Sequence, residues 1–188
     1  MDEVEIFNPY RMDGMSSLFN PALLRDIELY TGGFPSQYGD RLSAVLTTVL
    51  KEGGQEGFAG QANTSLSNMS LTLEGRTGFM DGGWIISGRR SYVNFIGEGM
   101  KDRMGIYNDI SFPDFFDVQG KFVLRPSPQH RIQVNGLYVQ DVLDQLVRRG
   151  SSLQGSQDRL DASDRPRSAA LGGAWYWIPG SPFQTRLY

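Results

Sequence analysis

The sequence predicts a mainly β chain: a small α/β unit over residues 1–54, then, over 55–188, antiparallel strands of an incomplete transmembrane β-barrel. Three observations carry this. First, two runs alternate with the period of two of a strand. In 114–125, Phe116, Val118, Gly120, Phe122 and Leu124 fall on one face and Asp117, Gln119, Lys121 and Arg125 on the other. In 130–142, Ile132, Val134, Tyr138 and Val142 oppose Arg131, Gln133, Asn135 and Asp141. Successive strand side chains point to opposite faces, so each strand has one apolar and one polar side. Second, these strands are about twice the usual five or six residues. At roughly 3.3 Å per residue each spans about 40 Å, and tilted by about 45° it crosses an apolar band about 25 Å tall. Third, connection lengths are asymmetric. Residues 80–83, 125–129 and 179–182 make short turns at one end, whereas 94–113 and 143–167 are long connections at the other. Short periplasmic turns and long outer loops are the pattern of outer-membrane barrels.

Taken in order, 4–7 is a short strand candidate stopped by Asn8-Pro9, and Asn20-Pro21 is a helix-start signal with Pro21 suited to a first helical position. Residues 22–26 fit one helical turn and 27–30 a short strand. Breaks follow at Gly32-Gly33 and around Tyr38-Gly39, where glycine tolerates positive φ and close backbone approach. Residues 41–51 alternate loosely and are rich in Val, Leu and Thr. From residue 57 the strands are 57–67, 69–79, 83–93, 114–125, 130–142, 168–178 and 182–188. Pro126 and Pro128 cannot donate ladder hydrogen bonds and mark the turn between the two longest. Arg90 breaks the alternation of its strand and is expected to snorkel at the membrane boundary. Phe79, Trp84, Trp175, Tyr176, Trp177 and Phe183 gather near the short-turn end, as an interfacial girdle does.

Composition narrows the function. The chain has 188 residues, 23 Gly, no Cys and a net charge of −3. No apolar run reaches the roughly 18 residues of a membrane helix. Negative mean hydropathy is compatible with a barrel, because half of each strand faces a polar interior. No basic stripe points to nucleic acid. The first residues are acidic with no apolar segment behind them, and 183–188 reads as a strand in progress, so an internal piece of a longer protein is expected. No catalytic constellation, cofactor site or metal site is expected. His130 is the single histidine, and Asp114 and Asp117, three apart on a strand, face opposite ways. Asp and Arg residues between 141 and 167 read as a solvated connection, with ligand capture at the cell surface as the functional version.

Residues 6–10 (IFNPY) and 17–46 (SLFNPALLRDIELYTGGFPSQYGDRLSAVL) resemble the C-terminal half of the plug domain of TonB-dependent outer-membrane receptors. The Gly-Gly at 32–33 and the Tyr38-Gly39 turn carry the resemblance. The segment 40–46 departs from the family's usual Gly-Gly-Val-Ile-Asn-type strand and is similar to receptors carrying an N-terminal carboxypeptidase-regulatory-like domain. Residues 70–75 and 83–92 resemble early barrel strands of the same family. The resemblance implies a plug remnant over 1–54 and roughly the first third of a barrel of about twenty-two strands. It implies uptake of a scarce nutrient (an iron chelate, cobalamin or an oligosaccharide) across the outer membrane, with TonB and its inner-membrane motor as partners contacting a segment upstream of this one. Plug arginines in that family pair with barrel glutamates, so Arg41, Glu74 and Arg89 are the plug–barrel contact candidates, and Arg41 with Glu74 the expected pair. Gly32, Gly33, Tyr38 and Gly39 form the plug turn. The competing reading is a β-rich surface binding module without transport activity, whose apolar strand faces would pack on a second sheet.

Overall fold

The structure, a computed structural model, describes residues 1–2, 4, 6, 10–11, 16–33, 35, 38–39, 44–54, 57–93, 96, 114–147, 160–164, 167–178 and 185–187. These are mainly β, in three antiparallel sheets. In the first part, β1 (Tyr10–Arg11) pairs with β2 (Ser16–Ser17), and β3 (Leu24–Thr31) with β4 (Ala44–Leu50). The larger sheet holds β5 (Ala59–Thr64), β6 (Asn68–Arg76), β7 (Asp81–Ser91), β8 (Asp114–Ser127), β9 (His130–Val147), β10 (Leu160–Asp164), β11 (Arg167–Trp177) and β12 (Thr185–Leu187). Its order is β12-β11-β9-β8-β7-β6-β5, with β10 paired to the far end of β9. Sequential strands are neighbours, as in a meander.

Two expectations are corrected. The α/β character of 1–54 reduces, among its described residues, to one 3-10 turn at Pro21–Leu23. Asn20 caps it, its Oδ1 accepting from the Ala22 N–H at 3.1 Å, and Pro21 sits where a missing N–H costs nothing. Leu24 then enters β3, three residues earlier than expected, because pairing with β4 supplies the backbone bonds a helix would have supplied. The second correction concerns 143–167. β9 continues to Val147 and β10 pairs back on it, so both ends of that supposed loop are strand. Its polar composition hid the pairing. Val4 and Ile6 lie in no strand, and the rest of that candidate lies outside the described residues.

The sheet is inverted relative to a soluble one. In β8, Phe115, Asp117, Gln119, Lys121 and Val123 are buried, while the apolar set Phe116, Val118, Phe122 and Leu124 is half-buried or exposed. In β9 the buried positions are Gln133, Asn135, Leu137 and Val139, and Ile132, Val134 and Tyr138 stand exposed. β7 buries Ile85, Ser87, Arg89 and Ser91 and exposes Ile86. Cross-strand register fixes this: Thr72, Ser87, Gln119 and Leu137 are directly opposite one another in successive strands, so they share the buried face. The first part of the chain covers that face. Two small apolar contacts flank a polar middle: Leu18 against Leu137 and Val139, and Leu23 and Leu50 against Ile85.

Candidate functional site

The site is the seam where residues 17–24 and 48–54 meet the polar face of the sheet. Arg89 is its centre. β7 and β8 place Arg89 opposite Asp117, and its Nε donates to Asp117 Oδ2 at 2.9 Å. Both side chains are buried, Asp117 fully. The remaining guanidinium donors reach across the seam: Nη1 to the Phe19 carbonyl at 3.3 Å, and Nη2 to the carbonyls of Ser17 at 3.2 Å and Leu18 at 2.6 Å. Gln119 Nε2 also donates to the Leu18 carbonyl, at 2.6 Å, and to Asp117 Oδ1 at 3.2 Å. A planar guanidinium presents five donors in a fixed fork, so one arginine can hold a carboxylate and three consecutive carbonyls at once. Asn20 Nδ2 extends the contact to Ser87 Oγ at 2.7 Å, which lies 2.8 Å from Thr72 Oγ1. The sheet grips this segment chiefly by its backbone.

A second cluster holds the other end of the seam. Lys121 Nζ donates to Asp2 Oδ1 at 2.7 Å and to the Leu50 carbonyl at 3.2 Å, with both charged groups almost fully buried. Glu52 receives three arginines: Arg131 at 2.8 Å, Arg125 through a hydrogen bond from Nη2 to Oε2, and Arg25 at 3.7 Å. Arg131 also lies 5.0 Å from the centre of the Tyr176 ring, whose hydroxyl accepts from Gln133 Nε2 at 3.1 Å. The linker then runs flat against β7. Gly53 has φ +89°, and any Cβ there would collide with the Trp84 carbonyl, while one on Gly83 would lie 2.7 Å from the Glu52 carbonyl. Glycine at 53 therefore answers both demands, positive φ and close approach.

Partial burial alone would raise the Glu52 carboxyl. The charge of Arg131, the hydrogen bond and charge of Arg125, and Lys121 outweigh that and hold it below its ordinary value of 4.5. A carboxyl depressed on folding stabilises fully above its unfolded value and loses that stabilisation as pH falls through the folded one. The expected result is a linker held on β7 above about pH 4.5 and released as acid protonates Glu52. Trp84 fluorescence over an acid titration reads this, since Gly53 lies on the Trp84 backbone. Glu52→Gln should weaken the contact at neutral pH and abolish the acid step; an unchanged step would assign it elsewhere.

Of the sequence candidates, Arg89 lies at the seam. Glu74 is half-buried on the same face beside Gly54 and makes no ion pair among the described residues. Arg41, its expected partner, lies outside the described residues. Gly32 has the positive φ expected of the turn, +85°. Tyr38 packs on Tyr30, ring centres 5.9 Å apart. Among the described residues the close approach expected at Gly32, Gly33 and Gly39 is not seen there: an added Cβ would meet no described atom within 4 Å. It occurs at Gly53 and Gly83 instead. In the aromatic girdle, Trp84, Trp175 and Trp177 stand on the outward face, Tyr176 turns inward over Arg131, and Phe183 lies outside the described residues. Asp117, Gln119, Lys121 and Glu52 were not singled out from sequence. For the first three, polar side chains at every second position of an otherwise apolar strand were the available signal.

No family model, curated protein or solved structure matches this chain. The geometry of the seam and the inverted sheet carry the functional reading.

Proposed function

We propose that this chain is the plug-side portion and the first barrel strands of an outer-membrane receptor that takes up a scarce small nutrient, using energy relayed by TonB and its inner-membrane motor. The observation that supports it is the inverted sheet. Ile86, Phe116, Ile132, Val134, Tyr138 and Leu171 are exposed on one face, while Arg89, Asp117, Gln119, Lys121 and Asn135 are buried on the other under the N-terminal segment. In water this arrangement is unfavourable, since each exposed large apolar side chain forgoes roughly 1.5–3 kcal/mol of burial. In a bilayer it is the favourable one. The N-terminal segment takes the place of a plug, resting in the polar lumen. A plug must be held firmly and still be removable. Polar and ionic contacts, here Arg89 on backbone carbonyls and Glu52 among arginines, allow that better than a large apolar interface.

The test is fractionation and surface proteolysis of cells making the protein, with uptake assayed alongside. The protein is expected to stay with the outer membrane after an alkaline wash. Added protease should cut within 94–113 or 148–159 but spare the turns at 78–80 and 128–129. Ligand uptake should cease when TonB is deleted or the proton-motive force collapsed. Recovery as a monodisperse protein in detergent-free buffer would sink the membrane reading and favour the surface binding module. Outer-membrane insertion with TonB-independent uptake would leave a passive barrel.

A further inference from the structure

The outward face of the sheet is not a uniform apolar wall. Leu73, Ile86, Gly120, Gly136 and Leu171 form one row across β6, β7, β8, β9 and β11. Its third and fourth members are glycines, and they floor a trough of about 820 Å³. Ile86 and Leu171 line its sides, and Val118, Tyr138, Phe122 and Val134 line it along the strands. The backbone does not demand glycine at 136. Its φ is not positive, and an added Cβ would meet only Leu171 Cδ1, at an ordinary 3.6 Å. Glycine weakens a strand interior, and where no bulge or bend needs it, it marks close approach of a ligand or another chain.

A second feature lies on the same face at the short-turn end. His130 stacks with Trp175 (5.6 Å between ring centres) and with Trp177 (6.5 Å, 11° between planes). Trp175 Nε1–H donates to His130 Nδ1 at 3.1 Å. With Nδ1 accepting, the neutral imidazole carries its proton on Nε2 and keeps that N–H as a donor. Flat amphipathic rings with polar edges belong at the headgroup level of a membrane. Gly136 follows His130 by six residues along β9. That is roughly 20 Å of strand, or about 14 Å of depth at a tilt of about 45°. Half of a hydrocarbon core about 30 Å thick is about 15 Å. The trough thus lies where an acyl chain ends if its headgroup sits at the ring stack.

We infer that this face carries a defined phospholipid site. One acyl chain runs up β9 from the Trp175–His130–Trp177 stack and ends in the Gly120–Gly136 trough, and the lipid phosphate accepts from His130 Nε2–H. The site rests on the membrane reading above. The chain, not the headgroup alone, is selected, because the trough lies at a fixed distance from the ring stack.

The experiment is native mass spectrometry of the delipidated full-length protein incubated with phosphatidylethanolamine bearing sixteen-carbon chains. Wild type is expected to retain one lipid. Gly136→Leu, which fills the trough, should lower retention about tenfold, and Gly136→Ala, which leaves most of it open, should retain lipid like wild type, separating filling from misfolding. His130→Phe should weaken retention several-fold. Equal retention by wild type and Gly136→Leu overturns the site while membrane insertion of both keeps the receptor reading intact. Failure of wild type to enter bilayers removes the membrane reading itself. Dimers abolished by Gly136→Leu would overturn the lipid and give the trough to a second copy.

Discussion

Arg89→Met is expected to destabilise the protein by about 3–5 kcal/mol and to detach residues 17–19 from the sheet. The size follows from what remains behind. Asp117 has no exposed surface, and Arg89 Nε is its ion-pair partner. Methionine keeps most of the buried stem but takes the guanidinium charge away from that buried carboxylate, which keeps its hydrogen bond from Gln119. The buried Phe19 carbonyl loses its donor at the same step and the carbonyl of exposed Ser17 a partly buried one, whereas Leu18 keeps Gln119. An unmet buried polar group costs about 1–3 kcal/mol. The double variant Arg89→Met with Asp117→Leu should recover much of the loss, since replacing both members of the ion pair removes the buried charge. Denaturant unfolding of protein refolded into vesicles measures the difference. Protease protection of the 17–24 segment measures the detachment. A single variant costing under about 1 kcal/mol would mean the pair is solvated like a surface salt bridge, and the clamp would be disproved.

The contrast between Arg89 and Glu52 shows what the sequence discloses about this seam. Alternation along 114–125 and 130–142 revealed both strands and both faces, because side-chain direction is local to a strand. It placed Asp117, Gln119 and Lys121 on the polar side. It could not show that Arg89 stands opposite Asp117, since register between strands is set by turns and bulges as well as pattern. Here β7 ends at Ser91 and β8 begins at Asp114, so the sequence offers no short hairpin turn to set their register. Glu52 had no local signal at all. It lies outside any strand, and its three arginines come from β3, β8 and β9. β10 was missed for the opposite reason. Its LDASD sequence has weak strand preference, and the ladder along the extended β9 overrides it. Glycine gave a weaker signal too: Gly32 and Gly33 look like the crowded pair, yet among the described residues the close approaches include Gly53 and Gly83, where the linker touches β7.

Ile86→Arg is expected to divide the membrane and soluble readings by sign of effect. Ile86 is the central residue of β7 and is 43% exposed. On a soluble sheet, an arginine there extends into water, and substitutions at such positions stay within about 0.5 kcal/mol. Solubility would improve, because the apolar patch shared with Val118 and Tyr138 is broken. In a barrel, the middle of β7 lies near the bilayer midplane, where arginine on the lipid face costs about 2–4 kcal/mol. Its charge cannot escape inward, since the opposite face is filled by Ser87, Arg89 and the segment they hold. The expected result is therefore a loss of folding into vesicles, with no matching loss for Arg90→Ala. Arg90 sits on the same face near the long-loop end, 3.7 Å from Asp114 and well exposed, so it can reach the interface. Equal folding yields for Ile86→Arg and wild type in vesicles would exclude lipid from this face. The apolar row would then need a protein partner to cover it.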